Sequence, residues 1–371
     1  MLTRRRFLAA SAVGALSLVG CTTADHPQVV CSTFPVGTGS YNDLAALAGT
    51  LTATTGRRIR LMTSGTSIGR LAPLINGTAQ YARVGDEYLH AFEGEGEFAA
   101  AGWGPQPVRQ VWSPPGFYGV CVRVDSGITT TADLRGARVP DLVGSTSMNR
   151  KLEAALAHGG LTRRDVREVR TTYADQLEAL RSGQLDVAFH NVVGASIEEF
   201  AARHAIRWLD LGGGDAGVEK RWREIVPMVA PGIAAAGAGI TAGEPVTVMT
   251  YTVPVVTLAH RPVEEVAALV GDIHRLYPRY RDATPDAHRF DVAQLLTTPL
   301  VVPFHPGSVE VLRAHGRWSP ALDAHQAALL ERETALRAGW DAFRAHSPAD
   351  PAAWQNFKSR HIPARPHLED L

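Results

Sequence analysis

The chain has 371 residues, 45% of them hydrophobic, and its 37 basic side chains match 37 acidic ones, so it is formally neutral. That length and apolar content suit a large core divided over about two domains. A neutral chain without a basic stripe argues against nucleic acid as a partner, and only Lys151, Lys220 and Lys358 among the cations are lysines. The three cysteines form no Cys-x-x-Cys pair and the histidines show no metal-ligand spacing, so neither a metal nor a cofactor is expected.

The first residues read as an export signal. Thr3-Arg4-Arg5-Arg6-Phe7-Leu8 carries a twin-arginine pattern, and an uncharged run follows from Leu8 to Val19. It ends in Leu18-Val19-Gly20-Cys21, small residues before a cysteine as in a bacterial lipobox. Residues 1–21 are therefore expected to be a signal ending at a lipidated Cys21, and 22–27 a tether on the outer face of the cytoplasmic membrane. Such a location permits a disulfide between Cys31 and Cys121, although their apolar surroundings suit buried free thiols better.

The mature chain opens with a strand, a glycine turn and a helix. Val29, Val30 and Cys31 lead into Thr33-Phe34-Pro35-Val36-Gly37-Thr38-Gly39-Ser40-Tyr41, after which Leu44, Leu47, Ala48 and Leu51 mark one helix face. The same pattern returns at Ile59 to Thr63, Ser64-Gly65-Thr66-Ser67 and a helix carrying Ile68, Leu71, Ala72 and Ile75. A third copy runs from Ala137 through Gly144-Ser145-Thr146-Ser147 to Leu152, Ala155 and Leu156. Helix starts of this kind offer free N–H donors and a partial positive charge, which suit a carboxylate or phosphate. Ligands in open α/β sheets favour the carboxyl ends of strands, so three such turns read as the walls of one anion-binding cleft. Three capped helices without a ligand are the plain alternative.

Between the turns, Tyr81 to Val84 is a short strand that delivers Asp86, either to the cleft or as the cap of the helix carrying Tyr88, Ala91 and Phe92. Residues 93–107 read as a loop, Val108 to Trp112 as a strand, and Phe117 to Val124 as a long apolar strand crossing between lobes. Val187-Ala188-Phe189 is a buried strand ending in His190-Asn191. Residues 230–245, rich in Ala and Gly, read as a linker, and Val246 to Ala259 as a strand crossing back. Helices follow over Val263 to Tyr280, Val309 to His315 and Ala321 to Ala345, and the chain from Pro348 reads as an irregular strap.

The order of these pieces resembles the solute-binding subunit of TRAP transporters in the TAXI family, from about Val29 to Gly316. Gly37-Thr38-Gly39-Ser40-Tyr41 is similar to the family's opening motif, and Ser64-Gly65-Thr66-Ser67-Ile68 to its second. Asp86 and Tyr88 after Gly77 are similar to the third, and Asp125-Ser126-Gly127-Ile128 through Asp133-Leu134-Arg135-Gly136 is the closest match. Pro303-Phe304-His305-Pro306-Gly307-Ser308 resembles a near-terminal His-Pro-Gly signature, with His305 read as structural. Two departures fall where a ligand would lie: Arg70 replaces an asparagine in the second helix, and the third turn lacks a Pro and a Gly.

The resemblance implies an α/β, two-lobed type II periplasmic-binding-protein fold with two hinge crossover strands and C-terminal helices. Lobe 1 would take residues 28–122 and 251–320, lobe 2 residues 123–250, and 321–371 a terminal helix and tail. It implies a lipid-anchored monomer, not an enzyme, that passes a small anionic solute to TRAP membrane subunits. The ligand-binding set is expected to be Thr38, Gly39, Ser40, Tyr41, Thr66, Ser67, Arg70, Asp86, Ser145, Thr146 and Asn191. Arg70 is either a bidentate clamp on a ligand carboxylate or a solvated helix arginine. Tyr41 and Tyr118 either cover the ligand or pack with their hydroxyls at an edge. Two rivals stand beside this reading. Gly65-Thr66-Ser67-Ile68-Gly69 matches a nucleophile elbow, which would make the chain a secreted serine esterase with His305 as a base; a ligand sensor of the same fold is the other.

Overall fold

The computed structural model describes residues 28–213 and 216–366; the signal, the tether and Cys21 lie outside these. The chain begins β1 (Val29–Thr33), α1 (Gly39–Thr55), β2 (Ile59–Thr63), α2 (Ser67–Ile75), β3 (Tyr81–Arg83), α3 (Glu87–Glu93), α4 (Glu97–Ala100) and β4 (Val108–Trp112). It continues with β5 (Pro115–Arg123), β6 (Arg138–Leu142), α5 (Thr146–His158), β7 (Arg167–Thr171), α6 (Gln176–Arg181) and β8 (Val187–Asn191). Then come α7 (Ala195–Arg203), β9 (Ile206–Trp208), α8 (Ala216–Ile225), β10 (Ala230–Ala234), β11 (Val246–Thr252) and β12 (Val255–Leu258). Four helices close the chain: α9 (Val263–Tyr280), α10 (Pro306–Ala314), α11 (Pro320–Arg344) and α12 (Pro351–His361).

Two five-stranded sheets organise this order. The first runs β2-β1-β3-β12-β4, with β1 parallel to β2 and β3, and β12 antiparallel to its neighbours. The second runs β10-β11-β5-β8, with β9 also pairing β5, and is antiparallel; β6 and β7 form a separate parallel pair. The chain changes sheet twice, between β4 and β5 at Ser113-Pro114 and between β11 and β12 at Val253-Pro254. Proline cannot donate to a ladder, so both breaks are short and fixed. The architecture is the two-lobed α/β periplasmic-binding-protein fold.

The crossover differs in place from the boundaries read at 122/123 and 250/251. Pro115–Arg123 pairs along its length with β8, β9 and β11, so it belongs to the second sheet. A continuous apolar run tells that a strand is buried, not which sheet buries it. The linker expected over 230–245 opens with a strand, β10, registered against β11. The strap expected from Pro348 is helix α12, capped by Asp350, whose carboxylate accepts from the Ala353 N–H at 2.6 Å. The loop over 93–107 contains the single turn α4.

The lobes are packed against each other. One apolar cluster runs from Leu71, Val84 and Tyr88 in the first lobe to Met148, Leu152 and Tyr251 in the second. Cys31 lies in β1 and Cys121 in β5, one in each sheet, both buried and unbridged. Among the described residues no helix is long and apolar enough to cross a membrane.

Candidate functional site

The three glycine turns end in helix starts at the seam between the lobes. Thr38 caps α1, its hydroxyl accepting from the Tyr41 N–H at 3.3 Å, and Thr66 caps α2 by accepting from the Gly69 N–H at 3.2 Å. Ser145 stands at the cap position of α5 without a side-chain cap bond, leaving the turn at Thr146 and Ser147 directed at the seam. There the second and third turns meet: the Ser67 N–H donates to the Gly144 carbonyl at 3.4 Å. Gly144 has φ +68°, and a Cβ there would lie 3.0 Å from Thr66 Cγ2, so the close approach needs glycine.

A cavity of about 350 Å³ opens beside this contact, lined by Ser67, Glu87 and His90 from the first lobe and Thr146, Ser147 and Arg150 from the second. Residues 95–98 and α12 complete its wall. Ser67 is 4% exposed, and its Oγ has no hydrogen-bond partner among the described residues. Glu87 Oε2 and His90 Nε2 are buried and unpartnered in the same way. Gly85 sits against them, since a Cβ there would lie 2.8 Å from Glu87 Oε2 and 3.7 Å from Ser147 Oγ. Buried polar atoms are ordinarily satisfied, so a cluster of open ones facing a cavity is suited to a bound polar molecule.

Arg70 is not solvated, and its guanidinium is already engaged within its own lobe. It is 5% exposed; its Nε donates to Glu87 Oε1 at 2.5 Å, its Nη1 to the Ser64 carbonyl, and its guanidinium lies 4.3 Å from the Phe34 ring centroid. The pairing with Glu87 cancels the charge that the sequence suggested it would bring. Glu95 is likewise paired with Lys358, and Arg150 Nη1 reaches toward it across the seam at 3.9 Å. Glu97 carries no such ion pair among the described residues, and burial together with the Glu87 charge pushes its carboxyl up.

Asp86 occupies the cap position of α3 without capping it. Its carboxylate turns instead to the other lobe, where Lys151 Nζ lies 2.6 Å from Oδ1, with both side chains fully buried. Lys151 also donates to Ser147 Oγ at 3.2 Å and stands 4.1 Å from the Tyr251 ring centroid. Burial alone would raise the Asp86 carboxyl, but the Lys151 and His90 charges overcome it and hold the group below its ordinary value. The pair spans the lobes; burial pushes the Lys151 ammonium below its ordinary value, against the pull of the Asp86 charge.

A second bridge lies farther along the seam. Asn191 Nδ2 donates to Asp286 Oδ2 at 3.2 Å, and Asp286 pairs with Arg289, whose guanidinium stacks 4.6 Å from the Phe117 ring centroid of the other lobe. Gly39 faces the same carboxylate, with its Cβ position 3.8 Å from Asp286 Oδ2. Ser40 is buried, its carbonyl accepting from Arg83 Nη1 at 2.9 Å, and Arg83 pairs with Asp43. Tyr118 is stacked on Tyr251 at 4.9 Å within the core, while Tyr41 is only partly buried. A larger cavity, about 590 Å³, opens at this end between Phe117, Ile233 and Arg289. The expected residues thus fall into two groups on one seam: Thr66, Ser67, Arg70, Asp86, Ser145 and Thr146 at one end, and Thr38, Gly39, Ser40, Tyr41 and Asn191 toward the other.

His305 is fully buried at the cap of α10, its Nδ1 accepting from the Gly307 N–H and its Nε2–H donating to the Arg261 carbonyl. Both ring nitrogens are committed to backbone, so it serves no nucleophile at Ser67. The partners that sequence reasoning missed are Lys151, Glu87, His90, Glu95 and Asp286. Lys151 had one signal, as one of three lysines in an arginine-rich chain. A family model described as the NMT1-like family matches residues 32–316. The chain belongs to the NMT1-like family. No curated protein matches it in sequence. Solved structures similar to it include the alkanesulfonate-binding protein SsuA from Xanthomonas axonopodis pv. citri bound to MOPS, at 17% identity over 94% of this chain and 98% of that one, with a TM-score of 0.43. The aliphatic sulphonate binding protein SsuA from Escherichia coli aligns at 15% identity over 92% and 93%, with a TM-score of 0.43. A binding protein component of an ABC phosphonate transporter from Pseudomonas aeruginosa aligns at 14% over 84% and 99%, with a TM-score of 0.42. The family segment includes every expected cleft residue and ends before α11.

Proposed function

We propose that this member of the family is an extracytoplasmic solute-binding protein that captures a small carboxylate-bearing solute between its lobes and hands it to a membrane transporter. The observation that carries this reading is Ser67 Oγ, buried, unpartnered and facing the start of α5 across the interlobe cavity. A 13-residue helix ending there supplies free N–H donors and a partial positive charge, and Arg150 adds a full one beside them. The carboxylate would lie between Ser67, Thr146, Ser147 and Arg150. Arg70 acts through Glu87, holding that carboxylate in place, and Asp86 with Lys151 fixes the lobes in the arrangement that forms the cavity.

The motifs at Gly37 to Tyr41 and Ser64 to Ile68 argue that the membrane partner is of TRAP type. The Leu-Val-Gly-Cys box argues for anchoring through Cys21. No covalent step is needed. Ser67 and His90 border one cavity, and His90 Nδ1 faces Glu95 at 3.4 Å, but no hydrogen bond joins the two: Ser67 Oγ and His90 Nε2 are each without a partner among the described residues, so an activated serine is not assembled.

Native mass spectrometry of protein purified without unfolding tests the binding. A carboxylate-bearing species should be retained, and Ser67→Ala should weaken its affinity about tenfold to a hundredfold, the range for one hydrogen bond to a charged group. Polypeptide mass alone, with no calorimetric response to a carboxylate panel, would remove the proposal. Stoichiometric labelling of Ser67 by a fluorophosphonate would replace it with the esterase reading.

A further inference from the structure

The chain beyond residue 316 lies outside the family-matched segment, yet it reaches the cavity. Pro351, Ala352 and Gln355 of α12 line the same space as Ser67 and Arg150. Helix α12 is seated firmly enough to serve as a wall. Trp354 is fully buried, meets Trp340 edge-on at 5.0 Å and donates from Nε1 to the Glu93 carbonyl at 3.3 Å. One turn on, Lys358 Nζ donates to Glu93 Oε2 at 3.1 Å and to Glu95 Oε1. Glu95 is the side chain that faces His90 Nδ1, at 3.4 Å, and Arg150 of the second lobe. The appendage therefore reaches the cavity twice, through its own surface and through the carboxylate it fixes.

We infer that α12 is a third wall of the solute cavity and that Gln355 selects the solute by its length and by the polarity of its far end. This rests on the solute-binding reading above. An anion held at the start of α5 leaves the rest of the molecule facing Gln355, an uncharged amide that both donates and accepts. The class that fits is a multi-carbon carboxylate with a polar distal group. A compact anion such as acetate would occupy only the α5 end and would not meet α12.

Two measurements test this. In the first, a chain carrying Arg150→Cys and Gln355→Cys is treated with a short bismaleimide, each single variant serving as control; Cys31 and Cys121 are buried and silent. An intramolecular cross-link in the solute-free protein is expected, and its absence overturns the wall. In the second, Gln355→Trp, at an exposed position, is titrated with glutarate and acetate by calorimetry. A loss of tenfold or more for glutarate with less than a twofold change for acetate supports selection by α12. Wild-type glutarate affinity in Gln355→Trp, or equal losses for both anions, overturns it. A cross-link without binding of either anion by the wild-type chain supports the wall while counting against the carboxylate reading, so the two failures are told apart.

Discussion

Asp86 and Lys151 pair across the seam, tying a strand end of one lobe to a helix of the other. A strand ending in Gly-Asp marks an acid delivered to a sheet edge, and the sequence singled Asp86 out on that ground. The partner, 65 positions later, was out of reach, because no local period links a strand end in one lobe to a helix in the other. The pairing also decides the energetics. Removing one member of a buried ion pair leaves the other charge stranded, which typically costs about 3–5 kcal/mol, whereas replacing both is often nearly neutral. Lys151→Met is therefore expected to lower unfolding free energy in urea by about that amount, with Asp86→Asn in the same chain restoring most of it. Equal losses in the single and double variants would mean that packing around Lys151, against Tyr251, matters more than the pair. Arg70 carries the same lesson with opposite effect: its charge was visible, but Glu87, on the next helix, cancels it.

Helix α12 stands where the sequence suggests an irregular strap. Pro351 looks like a breaker, but at the first helical position its fixed φ and missing N–H cost nothing. Trp354, Phe357 and Lys358 then fall at i, i+3 and i+4, a face only three residues long and mixed in character, too thin for periodicity to find. Its acid sensitivity follows from Glu93. Burial opposes the charge there, but Arg365, Arg332 and Lys358 outweigh it and hold the carboxyl down to about 2, against 4.5 for the ordinary group. A folded pKa below the unfolded one contributes stability that is full above about 4.5 and fades as pH falls toward about 2, roughly 3 kcal/mol in all. Acid titration should therefore loosen the α11–α12 contact across that window, read as a change in tryptophan emission from Trp340 and Trp354. Glu93→Gln should flatten the transition; an unchanged profile would assign it to other carboxylates.

For the molecule as a whole, alternation of strands and helices announced two α/β lobes, and the three glycine turns did come to one seam. The hinge lies before β5 and not after it, because pattern reports burial and not sheet membership, and β5 belongs to the second sheet. The seam itself depends on a backbone approach at Gly144. Gly144→Val adds a branched side chain where φ is positive and where even a Cβ meets Thr66. Small-angle scattering is expected to show a larger radius of gyration for this variant, with weakened carboxylate binding. Unchanged scattering would mean that the β6–α5 loop gives way instead and the lobes stay together.

The two buried thiols turn the placement of Cys31 and Cys121 into an internal clock. Burial pushes the Cys31 thiol up to about 12 and Cys121 higher still, and neither sulfur has a route to the other. A thiol reagent can therefore reach them only when a lobe opens, and each lobe holds one reporter. Cys31 and Cys121 each sit in a separate apolar cluster of their own lobe, and a third cluster runs through both lobes; if that third cluster couples them, both should become reactive together in a single phase as denaturant is raised. Two separated phases would show instead that each half keeps its own stability, and that the crossovers at Pro114 and Pro254 join bodies able to unfold one at a time.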